Sequence, residues 1–81
     1  MNILRKTLTG TKTSFDFEAG AKYYIVKNFT SSNIYVAFDS SAINADSIKI
    51  PSMMGQLCIN NDDKASTVYI TGTGEVEVQQ L

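Results

Sequence analysis

The chain has 81 residues, one cysteine and no histidine, and its 7 Lys and Arg against 8 Asp and Glu leave a net charge of -1. One thiol excludes an intrachain disulfide, and the absence of histidine excludes a Ser-His-Asp triad and every His-containing zinc site. The 7 cations are scattered, with only Arg5 and Lys6 adjacent, which argues against nucleic acid as a partner.

The length predicts a single domain over residues 1–81. A chain of this size buries only about 60% of its extended surface, so apolar burial and ordering entropy nearly cancel. With no disulfide or metal to help, the expected remedy is association with another chain. Charged residues make up only 19%, and Ser, Thr, Asn and Gln supply the polar cover. Such a surface does not repel copies of itself. No run approaches the roughly 20 apolar residues of a membrane helix, so no membrane is expected as a partner. The segment MNILRKTL carries charge with no apolar run behind it and is not read as a secretory signal.

In chain order, the first strand is predicted from Leu4 to Thr9, turned by Gly10-Thr11-Lys12 into a second from Thr13 to Phe17. Glu18 to Ala21 forms the next turn. Lys22 to Phe29 is the strongest strand of this half. Tyr24, Val26 and Asn28 share one face; Tyr23, Ile25, Lys27 and Phe29 share the other. Both faces are partly apolar, which predicts a central strand with a sheet on one side and a loop or partner on the other.

Thr30 to Asn33 reads as a hairpin-type connection to a strand over Ile34 to Asp39. Ser40 to Ser47 has room for one helical turn. Ile48 to Ile50 is a short strand stopped by Pro51, which lacks a ladder donor. Ser52 to Gly55 turns the chain into Gln56 to Ile59. A polar loop follows from Asn60 to Lys64. Thr67 to Thr71 and Glu75 to Gln79 are strands around a Gly72-Thr73-Gly74 turn.

About eight short strands with period-2 alternation predict an all-β, small antiparallel β-sandwich, jelly-roll-like in outline. Two layers are required because each half-apolar strand must cover one face.

The chemistry-bearing residue types form no catalytic constellation. Serine and threonine lack an activating histidine, and so does Cys58, which is read as a small core or interface residue. Glu75 and Glu77 share one strand face at a spacing suited to paired carboxylates, roughly 5 to 9 Å. They alternate strictly with Val76 and Val78, so they read as a solvated face opposite a core face. Asn60-Asn61-Asp62-Asp63 is the segment richest in cation ligands but lacks the spacing of a calcium loop. Gly72-Thr73-Gly74 has no following helix and no GK[ST], so it is not a phosphate loop. No catalytic residue, no metal and no cofactor is expected.

The remaining signal is apolar and aromatic. Tyr23, Tyr24, Tyr35, Tyr69 and Phe29 exceed what so small a core must hide. Tyr23 and Tyr35, with Met53 and Met54 on a turn, are the interface candidates, since such side chains suit protein contacts. Exposed aromatics beside the polar loops at Ser31 to Asn33 and Asn60 to Asp63 would also suit a carbohydrate or host-surface ligand, and this alternative stays open.

The stretches KYYIVKNFTSSNIYVAFD, DSIKIPSMMGQ and VYITGTGEVEVQQL resemble small structural proteins of tailed bacteriophages and prophages. The matching positions are Asn28, Ile34 to Val36, Ile48 to Pro51, and Gly72 to Val78, within a likeness covering Lys22 to Leu81, about three quarters of the chain. The resemblance implies a β-sandwich virion accessory without enzymatic activity, assembled in the bacterial cytoplasm. It would be a homo-oligomer, trimer or dimer, docked on other virion proteins. It implies no catalytic or binding residue.

Overall fold

A computed structural model describes residues 2–52, 56–62 and 64–81. Eight strands form: β1 (Ile3–Thr9), β2 (Thr13–Asp16), β3 (Tyr23–Asn28), β4 (Ile34–Ala37), β5 (Ile48–Ile50), β6 (Leu57–Asn60), β7 (Thr67–Thr71) and β8 (Thr73–Gln80). One turn of 3-10 helix at Asn44–Asp46 occupies the polar interval before β5. The strands make two four-stranded antiparallel sheets, β1-β8-β3-β6 and β2-β7-β4-β5.

Alternation along each strand sends one set of side chains between the sheets. Leu8, Phe15, Tyr24, Val26, Ile34, Val36, Ile50, Val68, Ile70, Val76 and Val78 are fully buried there. Tyr24 is the largest of them. Its ring meets Phe17 at 5.5 Å and Phe38 at 5.7 Å between centroids, both tilted, a favourable aromatic geometry. Tyr24 therefore belongs to the core and is withdrawn from the surface aromatics.

The expected hairpins are mostly not hairpins. Of consecutive strands, only β4 and β5 pair with each other; the other connections carry the chain from one sheet to the other. Thr30 to Asn33, read from sequence as a hairpin-type link, is such an arch between β3 and β4. The loop after β6 and the glycine segment after β7 are arches too. The expected Gly72-Thr73-Gly74 turn shrinks to Gly72, because Thr73 and Gly74 already pair with Thr9 and Leu8 in β1.

Buried amides hold the arches. At one end of the sandwich the Asn28 amide group donates to the carbonyls of Ser32, Ile50 and Pro51 at 3.0–3.2 Å, while its Oδ1 accepts from the Thr30 N–H at 2.8 Å. At the other end Asn61 donates to the carbonyls of Ala21 and Ala65. Tyr24 Oη donates to the same Ala65 carbonyl at 2.7 Å and accepts from Gln80 Nε2 at 3.1 Å. These residues satisfy backbone groups that an arch leaves without a ladder partner.

The last arch demands small residues. A Cβ built on Gly72 would lie 2.8 Å from Cγ2 of the fully buried Ile34, and one on Gly74 would lie 2.8 Å from Cγ2 of Thr30. Gly74 also has φ +116, outside the range that L side chains favour. Replacing Gly72 with alanine pushes a methyl into a side chain with no free volume. The expected outcome for Gly72→Ala is a loss of about 1–3 kcal/mol in urea unfolding, with the strand spectrum retained.

Candidate interaction surfaces

Among the sequence-selected residues, Tyr23 sits on β3 and Tyr35 on β4, so they belong to different sheets. Each is half-buried and alternates with core residues, Tyr23 before Tyr24 and Tyr35 between Ile34 and Val36. They therefore face outward on opposite sides of the sandwich, and no single flat contact holds both. Met53 and Met54 lie outside the described residues.

The outer face of β2-β7-β4-β5 is built from Ser14 and Asp16, Thr67, Tyr69 and Thr71, Tyr35 and Ala37, and Lys49. Register places Tyr35 opposite Thr71 and Tyr69 opposite Ala37. The two tyrosines are thus diagonal neighbours on adjacent strands, within reach of each other across the pleat. Charge is confined to the two edge strands, with Asp16 on β2 and Lys49 on β5. Both Asp16 oxygens accept hydroxyl hydrogens at 3.0 Å, one from Ser14 and one from Thr67. Nothing local in the sequence singles out Tyr69; only the pairing of β4 with β7 puts it beside Tyr35.

The outer face of β1-β8-β3-β6 differs. One row across all four strands reads Ile3, Gln79, Ile25, Cys58. Tyr23 and Leu81 lie beside it, joined by a bond from the Leu81 N–H to the Tyr23 carbonyl at 3.0 Å. Ile3 is 46% exposed and Leu81 52%. The inner face of β3 is core, and its outer face, Tyr23, Ile25 and Lys27, is half-buried. Cys58 is exposed, which removes the core option and leaves the interface one.

The next row is ionic. Glu77 stands between Arg5 on β1 and Lys27 on β3. Arg5 Nε donates to Glu77 Oε1 at 2.6 Å, and Lys27 Nζ lies 3.0 Å from Oε2. Glu77 is only 5% exposed, so the expected solvated carboxylate is corrected here: it points outward, but two long cationic side chains cover it. The cover is side chain rather than core, and Arg5 itself remains open to solvent. Glu75, two residues earlier, is exposed, so no carboxylate pair shares one environment.

The polar loop after β6 also changes its meaning. Asn61 is buried and spends its amide on two backbone carbonyls, which makes it a structural brace. Asp63 lies outside the described residues. Among the described residues no group of three or more His, Cys, Asp or Glu is placed to hold a metal ion. A cleft of about 340 Å³ lies between the start of β1 and the end of β2, lined by Asn2, Ile3, Leu4, Asp16, Phe17 and Glu18. Of its two carboxylates, Asp16 and Glu18, Asp16 is already engaged by the two hydroxyls. No described helix is long and apolar enough to cross a membrane.

No family model, curated protein or solved structure matches the chain.

The ionic row gives a pH prediction. Bonds from Arg5 and then Lys27 hold the Glu77 carboxyl below its ordinary range, against the opposing effect of burial. A depressed carboxylate contributes stability at pH values above its unfolded pKa and loses it as pH falls through the folded one. Thermal melts of the wild type and Glu77→Gln should differ at pH 7 in favour of the wild type. The gap should close as pH drops below the usual carboxylate range. A gap independent of pH would show that the row acts through packing alone.

Proposed function

We propose that the protein is a non-enzymatic structural or accessory protein of a phage or prophage virion, acting through self-association and docking on a larger particle. We further propose that its sandwich is a jelly roll. The strand order β1-β8-β3-β6 over β2-β7-β4-β5 supports the second reading, since two interleaved Greek keys of eight strands pair in this way. Jelly rolls serve in viral capsid and lectin domains, although a fold alone does not assign a function.

The observation that carries the assembly reading is the pair of outer faces. A small sandwich needs one covered face per sheet, and both inner faces supply it here. The apolar row Ile3-Ile25-Cys58 with Tyr23 and Leu81, and the low-charge Tyr35-Tyr69 surface opposite, are in excess of that need. A two-sided module of this kind can contact one neighbour with each face. The resemblance to tailed-phage structural proteins directs the reading to a virion, with assembly in the bacterial cytoplasm.

The test is immunogold labelling of particles released after prophage induction in a strain that encodes the chain. Gold on heads or tails is the expected result. Unlabelled particles, with the protein left in the soluble fraction, would sink the virion reading.

The second reading is a carbohydrate- or host-surface-binding module. It is favoured by Tyr35 and Tyr69 lying side by side among Thr67, Thr71 and Ser14, a surface that offers aromatic faces and hydroxyls together. It predicts hits on a glycan array that disappear in Tyr35→Ala and Tyr69→Ala while the melting curve stays put. A folded wild type with no hits removes it.

A further inference from the structure

A sandwich of two open sheets has four edge strands, and each edge exposes unpaired backbone groups unless something guards it. Here the edges are β1 and β6 in one sheet, and β2 and β5 in the other. Three are guarded. On β1, Lys6 belongs to the core-facing side, and its ammonium donates to the Ser14 carbonyl at 2.6 Å and lies 5.3 Å from the centre of the Phe15 ring. Arg5 adds a second cation, so two β1 strands would meet cation against cation. That same lysine lies along the β2 edge, which also carries Asp16. β5 is three residues long, carries Lys49 and is followed by Pro51.

Among the described residues β6 has none of these devices. Leu57, Cys58, Ile59 and Asn60 include no charge and no proline. The direction of its backbone groups follows from the ladder. Asn61 N–H donates to the Lys22 carbonyl at 2.7 Å, so Asn61 faces β3. Tyr23 instead offers its carbonyl to Leu81 on the β8 side, so its partner Asn60 is not bonded to it. In an antiparallel pair bonded and non-bonded pairs alternate. Leu57 and Ile59 therefore bond β3, whereas the N–H and C=O groups of Cys58 and Asn60 point to the open edge.

We propose that β6 pairs antiparallel with β6 of a second copy of this chain, about a two-fold axis at Cys58. The proposal rests on the self-association reading and names its surface. Centred there, Cys58 meets Cys58, exchanging both backbone bonds. On the inner side Leu57 meets Ile59, and on the outer side Gln56 meets Asn60. Apolar faces apolar, amide faces amide, and no like charges are opposed. A two-fold at Ile59 would also fit the ladder, as a non-bonded pair, but it sets Leu57 against the buried, already engaged amide of Asn61, whereas the Cys58 register sets apolar against apolar. The two four-stranded sheets become one sheet of eight, and the row Ile3-Gln79-Ile25-Cys58 runs on through its own copy. A four-residue edge buries less than the roughly 1,000 Å² of a stable interface, so the pair dissociates on dilution.

The experiment is absolute mass by light scattering across a dilution series from millimolar to micromolar, in reducing buffer, for the wild type, Cys58→Pro and Cys58→Lys. Proline removes an N–H that points away from β3, and so spares the β3 ladder. Lysine leaves the backbone alone and sets two cations face to face. The expected result is a wild type that rises from 8.9 kDa toward twice that mass with concentration. Both variants should stay at one chain throughout, with wild-type strand spectra. If Cys58→Pro fails to fold, Cys58→Lys decides. A wild-type oligomer that Cys58→Lys leaves intact, or one of three chains, overturns the edge pairing while self-association stands. A wild type of one-chain mass at every concentration overturns both.

Discussion

The structure depends on where β7 and β8 insert. β8 lies between β1 and β3, and β7 lies between β2 and β4, so each sheet takes one of its two central strands from this pair. Without them β1 and β2 have no strand to join. The ladder between β1 and β8 ties distant residues, among them Arg5 and Glu77, 72 positions apart along the chain. Loop closure over such distances must precede the burial that repays it, which places this sandwich among the slower-folding topologies. Gly72 sits at the hinge of that pair, pressed against Ile34 and Leu8, because the step from one sheet to the other happens within a single residue.

A fold made of arches creates a polar problem that a fold of hairpins lacks. A hairpin continues its ladder up to the turn; an arch leaves backbone groups over the open end of the core. The chain meets this with side-chain amides. Asn28 gathers three carbonyls and one N–H at one end. Asn61, Tyr24 and Gln80 form a connected set at the other, which Asn2 extends through its bond to Gln80. The same economy leaves the outer faces free. With arches and core assigned to structure, Tyr23, Tyr35 and Tyr69 and the side chains of Ile3, Ile25 and Cys58 stand outside the core.

Much of this was legible in the sequence, and the misses share one cause. Strand positions came from alternation, which is local. Alternation also grouped Tyr24, Val26 and Asn28 on one side of β3, but with both faces partly apolar it did not say which side is buried; the structure buries this one. The errors concern neighbours. Glu77 has the sequence signature of a solvated carboxylate, but Arg5 and Lys27 reach it only because β1 and β3 flank β8. Asn61 sits in a loop that reads as a polar surface, yet it is a buried brace. Tyr69 gains its place beside Tyr35 from the β4-β7 pairing alone.

The sequence by itself determined that the chain is all-β, that its strands are short and half-apolar, and that two layers must share one core. Those properties follow from period-2 alternation and from the impossibility of leaving apolar faces in water. It also determined that no histidine, disulfide or second thiol was available for chemistry. Only the tertiary structure decided which strands meet, and hence that Tyr23 and Tyr35 lie on opposite sides, that Glu77 is covered, and that β6 is an edge strand. Pairing order is not written in any one strand, because an alternating strand fits several neighbours equally well. It is settled by the arches, the buried amides and the volume of the core acting together.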